Sequence, residues 1–101
     1  MSESREYDLI ICVVPAAKTQ DVINAARGAG ASGGTVISAA QAGEDGSFEQ
    51  REVVMILVGT ALRQDILQAI AFGAQLTADE NGLAFSMPVD DVVGVVSLGG
   101  K

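Results

Sequence analysis

Apolar positions fall in two closely similar blocks along the chain. Residues Leu9-Ile10-Ile11-Cys12-Val13-Val14 form a continuous apolar run, rich in β-branched side chains and ended by Pro15, as in a strand buried on both faces. From Thr19, read as an N-cap, Val22, Ala25, Ala26 and Ala29 recur at i, i+3, i+4 and i+7 until Gly28 and Gly30 interrupt them, which predicts a helix of about three turns. After the turn Ser32-Gly33-Gly34, the stretch Thr35-Val36-Ile37-Ser38-Ala39 supplies a short second strand.

The pattern then begins again. Val53-Val54-Met55-Ile56-Leu57-Val58 matches the first run, and Leu62, Ile66, Ala69, Ile70 and Gly73 mark a second helix with Thr60 near its cap. Gln20-Asp21-Val22-Ile23-Asn24-Ala25 corresponds to Gln64-Asp65-Ile66-Leu67-Gln68-Ala69, an internal repeat. Leu83-Ala84-Phe85-Ser86-Met87 closes the second unit. Two strand–helix–strand units of this size predict an α+β fold of the ferredoxin-like βαββαβ type, in a single domain over residues 1–101.

Two helices cover only one face of a four-stranded sheet, yet the runs at 9–14 and 53–58 are apolar at both parities and so on both faces. The segment after Val89 is too small to cover the second face, and packing against the sheets of identical subunits answers the need. A homo-oligomer with its sheets facing inward is therefore expected.

Composition narrows the chemistry. The chain has 101 residues and is 49% hydrophobic, which excludes a disordered tail. Thirteen acidic residues against six scattered basic ones give a net charge of −7, which argues against nucleic acid as a partner. A single cysteine, Cys12, can form no internal disulfide, and the absence of histidine removes the commonest metal ligand and general base. The polar, acidic start and the lack of a long apolar run predict neither a targeting segment nor membrane insertion, and a cytoplasmic location is expected. Cys12 lies in the most apolar run, where a thiol acts as a buried hydrophobe, and no nucleophile has a base beside it. No catalytic residue and no enzyme are expected.

The glycines Gly28, Gly30, Gly33 and Gly34 follow a helix, whereas a dinucleotide fingerprint opens one. They suit either a helix end or a backbone cradle for a ligand. The acidic pairs Glu44-Asp45, Asp79-Glu80 and Asp90-Asp91 lack the spacing of a calcium loop and read as solvated loop or helix-start carboxylates, so no metal is expected. Residues 40–50 have no period, are acidic and hold one aromatic, Phe48. They predict a flexible protruding loop, either a plain hairpin connection or a segment that orders on a ligand or partner with Phe48 as anchor.

The order of elements, with Gly30-Ala31-Ser32-Gly33-Gly34-Thr35-Val36 entering the second strand and Asn81-Gly82-Leu83-Ala84-Phe85-Ser86-Met87-Pro88-Val89 near the end, resembles the PII signalling superfamily. The likeness is to its divergent short members, among them carboxysome- and transporter-associated proteins. It implies a homotrimer that binds an adenine nucleotide in clefts between subunits and touches a membrane transporter or metabolic enzyme through the loop at 40–50. By that resemblance Val13, Gly33, Gly34 and Thr35 border the base and ribose, Gln41, Ala42 and Gly43 form the root of the loop, Leu57 lines the adenine side, and Gly82 and Leu83 sit in the facing loop. Glu44, Asp45, Ser47 and Phe48 then belong to the partner-binding segment.

The chain also departs from that pattern. The phosphate-binding Gly-Asp-Gly-Lys of typical members becomes Glu80-Asn81-Gly82-Leu83, without its lysine, and Gly94-Val95-Val96 stands where two arginines are usual. The loop is shorter and lacks tyrosine. Weak binding with ADP or AMP favoured follows, the nearby cations being Arg51 or residues of a neighbouring subunit, and bicarbonate comes with the resemblance as a small-anion effector of some carboxysome-associated relatives. The alternative is a constitutive trimeric interaction module that has lost nucleotide binding.

Overall fold

A computed structural model of the protein describes residues 6–76 and 82–94. Its elements run β1 (Tyr7–Val14), α1 (Thr19–Gly28), β2 (Thr35–Ala42), β3 (Phe48–Gly59), α2 (Arg63–Gly73) and β4 (Leu83–Val89), with a short 3-10 turn before each helix at Ala16–Lys18 and Thr60–Leu62. The strands form one sheet in the order β2-β3-β1-β4, and every neighbouring pair is antiparallel. This is the ferredoxin-like α+β arrangement expected from the doubled pattern.

The two parities of the apolar runs have separate destinations, because alternate side chains of a strand point to opposite faces. Ile10, Cys12 and Val14 of β1 and Val54, Ile56 and Val58 of β3 are buried beneath Val22 and Ala26 of α1, Ile66 and Ile70 of α2, and Ala74 just after it. Each Val or Ile so buried contributes roughly 1.5–3 kcal/mol. The register puts Tyr7, Leu9, Ile11 and Val13 on the other face, level with Val53, Met55 and Leu57 of β3 and with Leu83, Phe85, Met87 and Val89 of β4. Ile37 extends that face onto β2. No described residue of the chain covers it, and Ile37, Leu83, Phe85 and Met87 remain 40–45% exposed.

The internal repeat extends to the way both helices end. At the end of α1, Ala31 N–H donates to the Ala26 carbonyl and Gly30 N–H to that of Arg27, the reciprocal pair that closes a helix around a left-handed residue. Leu76 to Ala71 and Gln75 to Phe72 repeat it after α2. Gly30 takes φ +116° without penalty, whereas Gln75 holds the equivalent place at +59°.

One local expectation is corrected. Thr19 is not an N-cap: it is the first residue of α1, no side chain caps that end, and its hydroxyl donates to Glu52 on β3. Thr60 stands near the cap of α2 as expected, beginning a 3-10 turn, and its hydroxyl reaches Asp8 on β1. The buried Asp8 carboxylate accepts that bond and faces Arg63 Nε at 3.7 Å, so the polar caps read from local sequence are spent on contacts between elements.

The protruding segment is also more regular than expected. Residues 40–42 continue β2 and 48–50 begin β3, paired as Ala40 with Gln50, Gln41 with Glu49 and Ala42 with Phe48, which leaves only 43–47 as the connection. β1 reaches no farther along β3 than Glu52, opposite Val14, so beyond that point the hairpin stands as a two-stranded arm. Its tip is shaped by Asp45, whose carboxylate accepts from the Ser47 hydroxyl and backbone N–H at 2.7 and 3.0 Å, while Gly46 takes φ +86°. Those Ser47 bonds hold the Asp45 carboxyl below its ordinary pKa.

Candidate functional site

Where the arm leaves the sheet it overhangs the ends of β1 and β4, and the space between is a cleft of about 590 Å³, within the range of small-molecule sites. The floor is Val13, Gly82 and Leu83. The wall is the face of the arm carrying Gln41, Glu49 and Arg51, and the rim is the turn with Ala42, Gly43, Glu44, Asp45 and Ser47.

Gly82 makes the floor geometrically feasible. It has φ +117°, and a Cβ there would lie 2.3 Å from the Val13 carbonyl oxygen and 2.9 Å from Val14 Cγ1. Only a residue without a side chain lets the entry to β4 lie this close to the end of β1. The pairing of Val13 with Leu83 follows directly from it.

Arg51 is the lone cation among the lining residues, and its donors are engaged within the arm. Nε donates to Gln41 Oε1 at 3.0 Å, Nη1 to the Gln50 carbonyl at 3.2 Å and Nη2 to Glu49 Oε1 at 2.7 Å. Three carboxylates, those of Glu44, Asp45 and Glu49, share the cleft with this single guanidinium, and Glu49 meets it directly.

The cleft brings together six of the ten residues expected at a ligand, Val13, Gln41, Ala42, Gly43, Gly82 and Leu83, together with Glu44, Asp45 and Ser47 from the expected partner segment. Gly33, Gly34, Thr35 and Leu57 lie elsewhere. Thr35 pairs with Met55 and Leu57 with Leu9, and six residues of β2 separate Thr35 from Gln41, about 20 Å at the usual strand rise. Phe48 is on the face of the arm turned away from the cleft and is 71% exposed. Glu49 was missed from sequence, although its i, i+2 spacing from Arg51 puts both on one face of a strand. The expected departures at Glu80, Asn81, Val95 and Val96 lie outside the described residues.

Among the described residues no group of three or more His, Cys, Asp or Glu could hold a metal ion, and no helix is long and apolar enough to cross a membrane. Cys12 faces the helices, and burial pushes its thiol up to about 11. That suits a packed side chain and not a nucleophile.

A ferredoxin-like sheet with one bare apolar face and a hairpin arm overhanging a cleft defines a small α+β domain. The family model of nitrogen regulatory protein P-II matches residues 7–97, and the chain belongs to that family of signalling proteins, which are not enzymes. A crystal structure of Arabidopsis thaliana PII bound to citrate is similar at 26% identity and a TM-score of 0.78, over 91% of this chain and 85% of that one. A Bacillus cereus protein related to NIF3 shares the fold at 14% identity and a TM-score of 0.71, over 89% of this chain but 27% of its own. The comparison with curated proteins gave no match.

Proposed function

We propose that the protein is a cytoplasmic homotrimeric sensor that binds an adenine nucleotide between subunits and, through the arm at residues 40–50, acts on a transporter or enzyme. The observation that carries this reading is the cleft under the arm, where Val13, Gln41, Ala42, Gly43, Gly82 and Leu83 converge beside Arg51. A ligand there touches the root of the arm directly, and ordering the arm on binding is a recognised way to switch partner contacts.

Distance supports the inter-subunit position. Gly33, Gly34, Thr35 and Leu57 are too far from the cleft for one nucleotide to reach both sets in a single chain, so this reading takes the two sets from neighbouring subunits. The bare sheet face supports such an assembly, because a contiguous apolar surface of this kind is normally covered. The citrate held by the Arabidopsis relative is a small polyanion, which supports an anionic ligand in this fold.

Binding is weak in this reading, and ADP or AMP is not much worse than ATP. Leu83 supplies no cation, and backbone N–H groups at Gln41, Ala42 and Gly43 satisfy fewer phosphate charges than a Lys or Arg clamp. Bicarbonate is an accompanying small-anion effector. The test is calorimetry and thermal shift with ADP, AMP and ATP, with and without bicarbonate, since a ligand of the native state raises its apparent stability. Micromolar or weaker binding is expected; submicromolar ATP with a tenfold preference over ADP would refute the charge argument.

The second reading, a constitutive trimeric module without nucleotide binding, is favoured by one observation. Arg51 is already paired with Glu49. Absence of any nucleotide-dependent shift, with the trimer intact, would select it.

A further inference from the structure

The wall of the cleft contains a counter-ion that belongs to the protein itself. Glu49 and Arg51 are two residues apart on the cleft face of the arm, their carboxylate and guanidinium meet at 2.7 Å, and both line the cleft. Their exposures differ sharply: the Arg51 side chain is 17% exposed and that of Glu49 66%. Arg51 is fixed by two further bonds, to Gln41 Oε1 and to the Gln50 carbonyl. Among the described residues Arg51 is the one side-chain partner of the Glu49 carboxylate. The guanidinium is anchored and the carboxylate is the exchangeable partner.

We infer that Glu49 is a specificity-determining residue of the cleft: its carboxylate occupies Arg51 in the empty site, and a phosphate- or carboxylate-bearing ligand binds there by replacing it. This rests on the reading that the cleft takes an anionic ligand. Displacement is feasible because a pair whose carboxylate is mostly in water contributes little, and its geometry costs side-chain freedom to maintain. The exchange trades one anion for another on a single cation. Glu44 and Asp45 at the rim oppose each further charge, so Glu49 sets both the affinity for anions and the number of charges tolerated.

Exchange is local to β3. Gln41 and Glu49 are directly opposed on β2 and β3, and Arg51 links them both. An anion that takes the guanidinium from Glu49 breaks a contact within β3 and leaves the cross-strand bond from Arg51 to Gln41 in place. Occupancy of the cleft thereby frees the Glu49 side chain while the two strands stay tied through Arg51 and Gln41.

The experiment is calorimetric titration of the full chain and of Glu49→Gln, Arg51→Gln and the double variant with ADP, AMP and adenosine. Removal of the internal anion is expected to tighten ADP roughly two- to fivefold, the range for releasing an exposed ion pair. AMP gains less and adenosine nothing. Arg51→Gln weakens ADP, and in its background Glu49→Gln gives no gain. ADP binding by Glu49→Gln where the full chain shows none also supports the inference. Unchanged or weaker ADP binding by Glu49→Gln, or an equal gain for adenosine, overturns it while the nucleotide reading stands. Failure of both the native chain and Glu49→Gln to bind ADP overturns both.

Discussion

Replacing Gly82 with alanine tests whether the floor of the cleft depends on close approach of two backbones. The added Cβ would begin 2.3 Å from the Val13 carbonyl oxygen and 3.0 Å from Val14 Cα. A comfortable carbon–oxygen contact is about 3.3 Å, so the entry to β4 must retreat by about 1 Å. A backbone bond near 2.9 Å then stretches to nearly 4 Å and is lost, at about 1 kcal/mol for each bond broken. Holding alanine at φ +117° adds roughly 1–3 kcal/mol. The sum is a destabilisation of about 2–4 kcal/mol, read by denaturant unfolding. Gly46→Ala is the internal control, because Gly46 has φ +86° but nothing within 4 Å of the added atom; it carries the conformational strain alone. Nucleotide binding should fall with Gly82→Ala and survive Gly46→Ala. A loss below about 0.5 kcal/mol at Gly82, or equal losses at both positions, would refute the close-approach argument.

Cys12 makes the fold sensitive to alkali: its thiol ionises near 9.0 when unfolded and near 11 when folded, so its contribution is complete below pH 9 and fades as pH rises towards 11. Denaturation of native chain and Cys12→Ala at pH 7 and 10.5 should show a larger alkaline loss in the native chain, and native thiol labelling should be slow until denaturant is added. Phe85→Glu, on the bare sheet face, should convert a trimer to monomers by light scattering, because it would bury a carboxylate in an apolar interface; Phe72→Glu, 75% exposed on α2, should leave the mass unchanged. A monomeric native chain at micromolar concentration would refute the assembly. Thr35→Val removes a hydroxyl at constant volume and should weaken ADP by about 0.5–1.5 kcal/mol, whereas unchanged affinity by calorimetry would remove Thr35 from the site.

The elements legible in the sequence are those whose signal is repeated and apolar. Residues 9–14 and 53–58, and the spacing of Val22 and Ala26 against Ile66 and Ile70, report burial directly. The arm was harder to read because Ala40, Gln41, Ala42, Glu49 and Gln50 are small or polar and form no apolar period. Their pairing is carried by the turn at Asp45, Gly46 and Ser47, and a local turn signal does not state how far the strands behind it continue. Thr19 misled for a different reason, and Thr60, near the cap of α2 as expected, has the same kind of partner. A threonine before a helix reads as a cap, but their partners Glu52 and Asp8 are 33 and 52 residues away. The same distance hid the burial of Asp8. The cleft was legible in part through the resemblance, which gave its floor and rim, while the Glu49–Arg51 contact needed the register of the arm.

The arm is also a lever with its fulcrum at Glu52, the last residue of β3 that β1 supports. From there to the tip at Asp45 is about 20 Å at the rise of a strand, so a ten-degree tilt at the root swings the tip by roughly 3–4 Å. Arg51 lies one residue beyond the fulcrum. A movement there of a fraction of an ångström, the scale on which a guanidinium adjusts from one anion to another, therefore reaches the tip as a displacement comparable to the width of a side chain. A partner gripping Phe48 or the turn would feel an event centred on Arg51, at the short end of the lever.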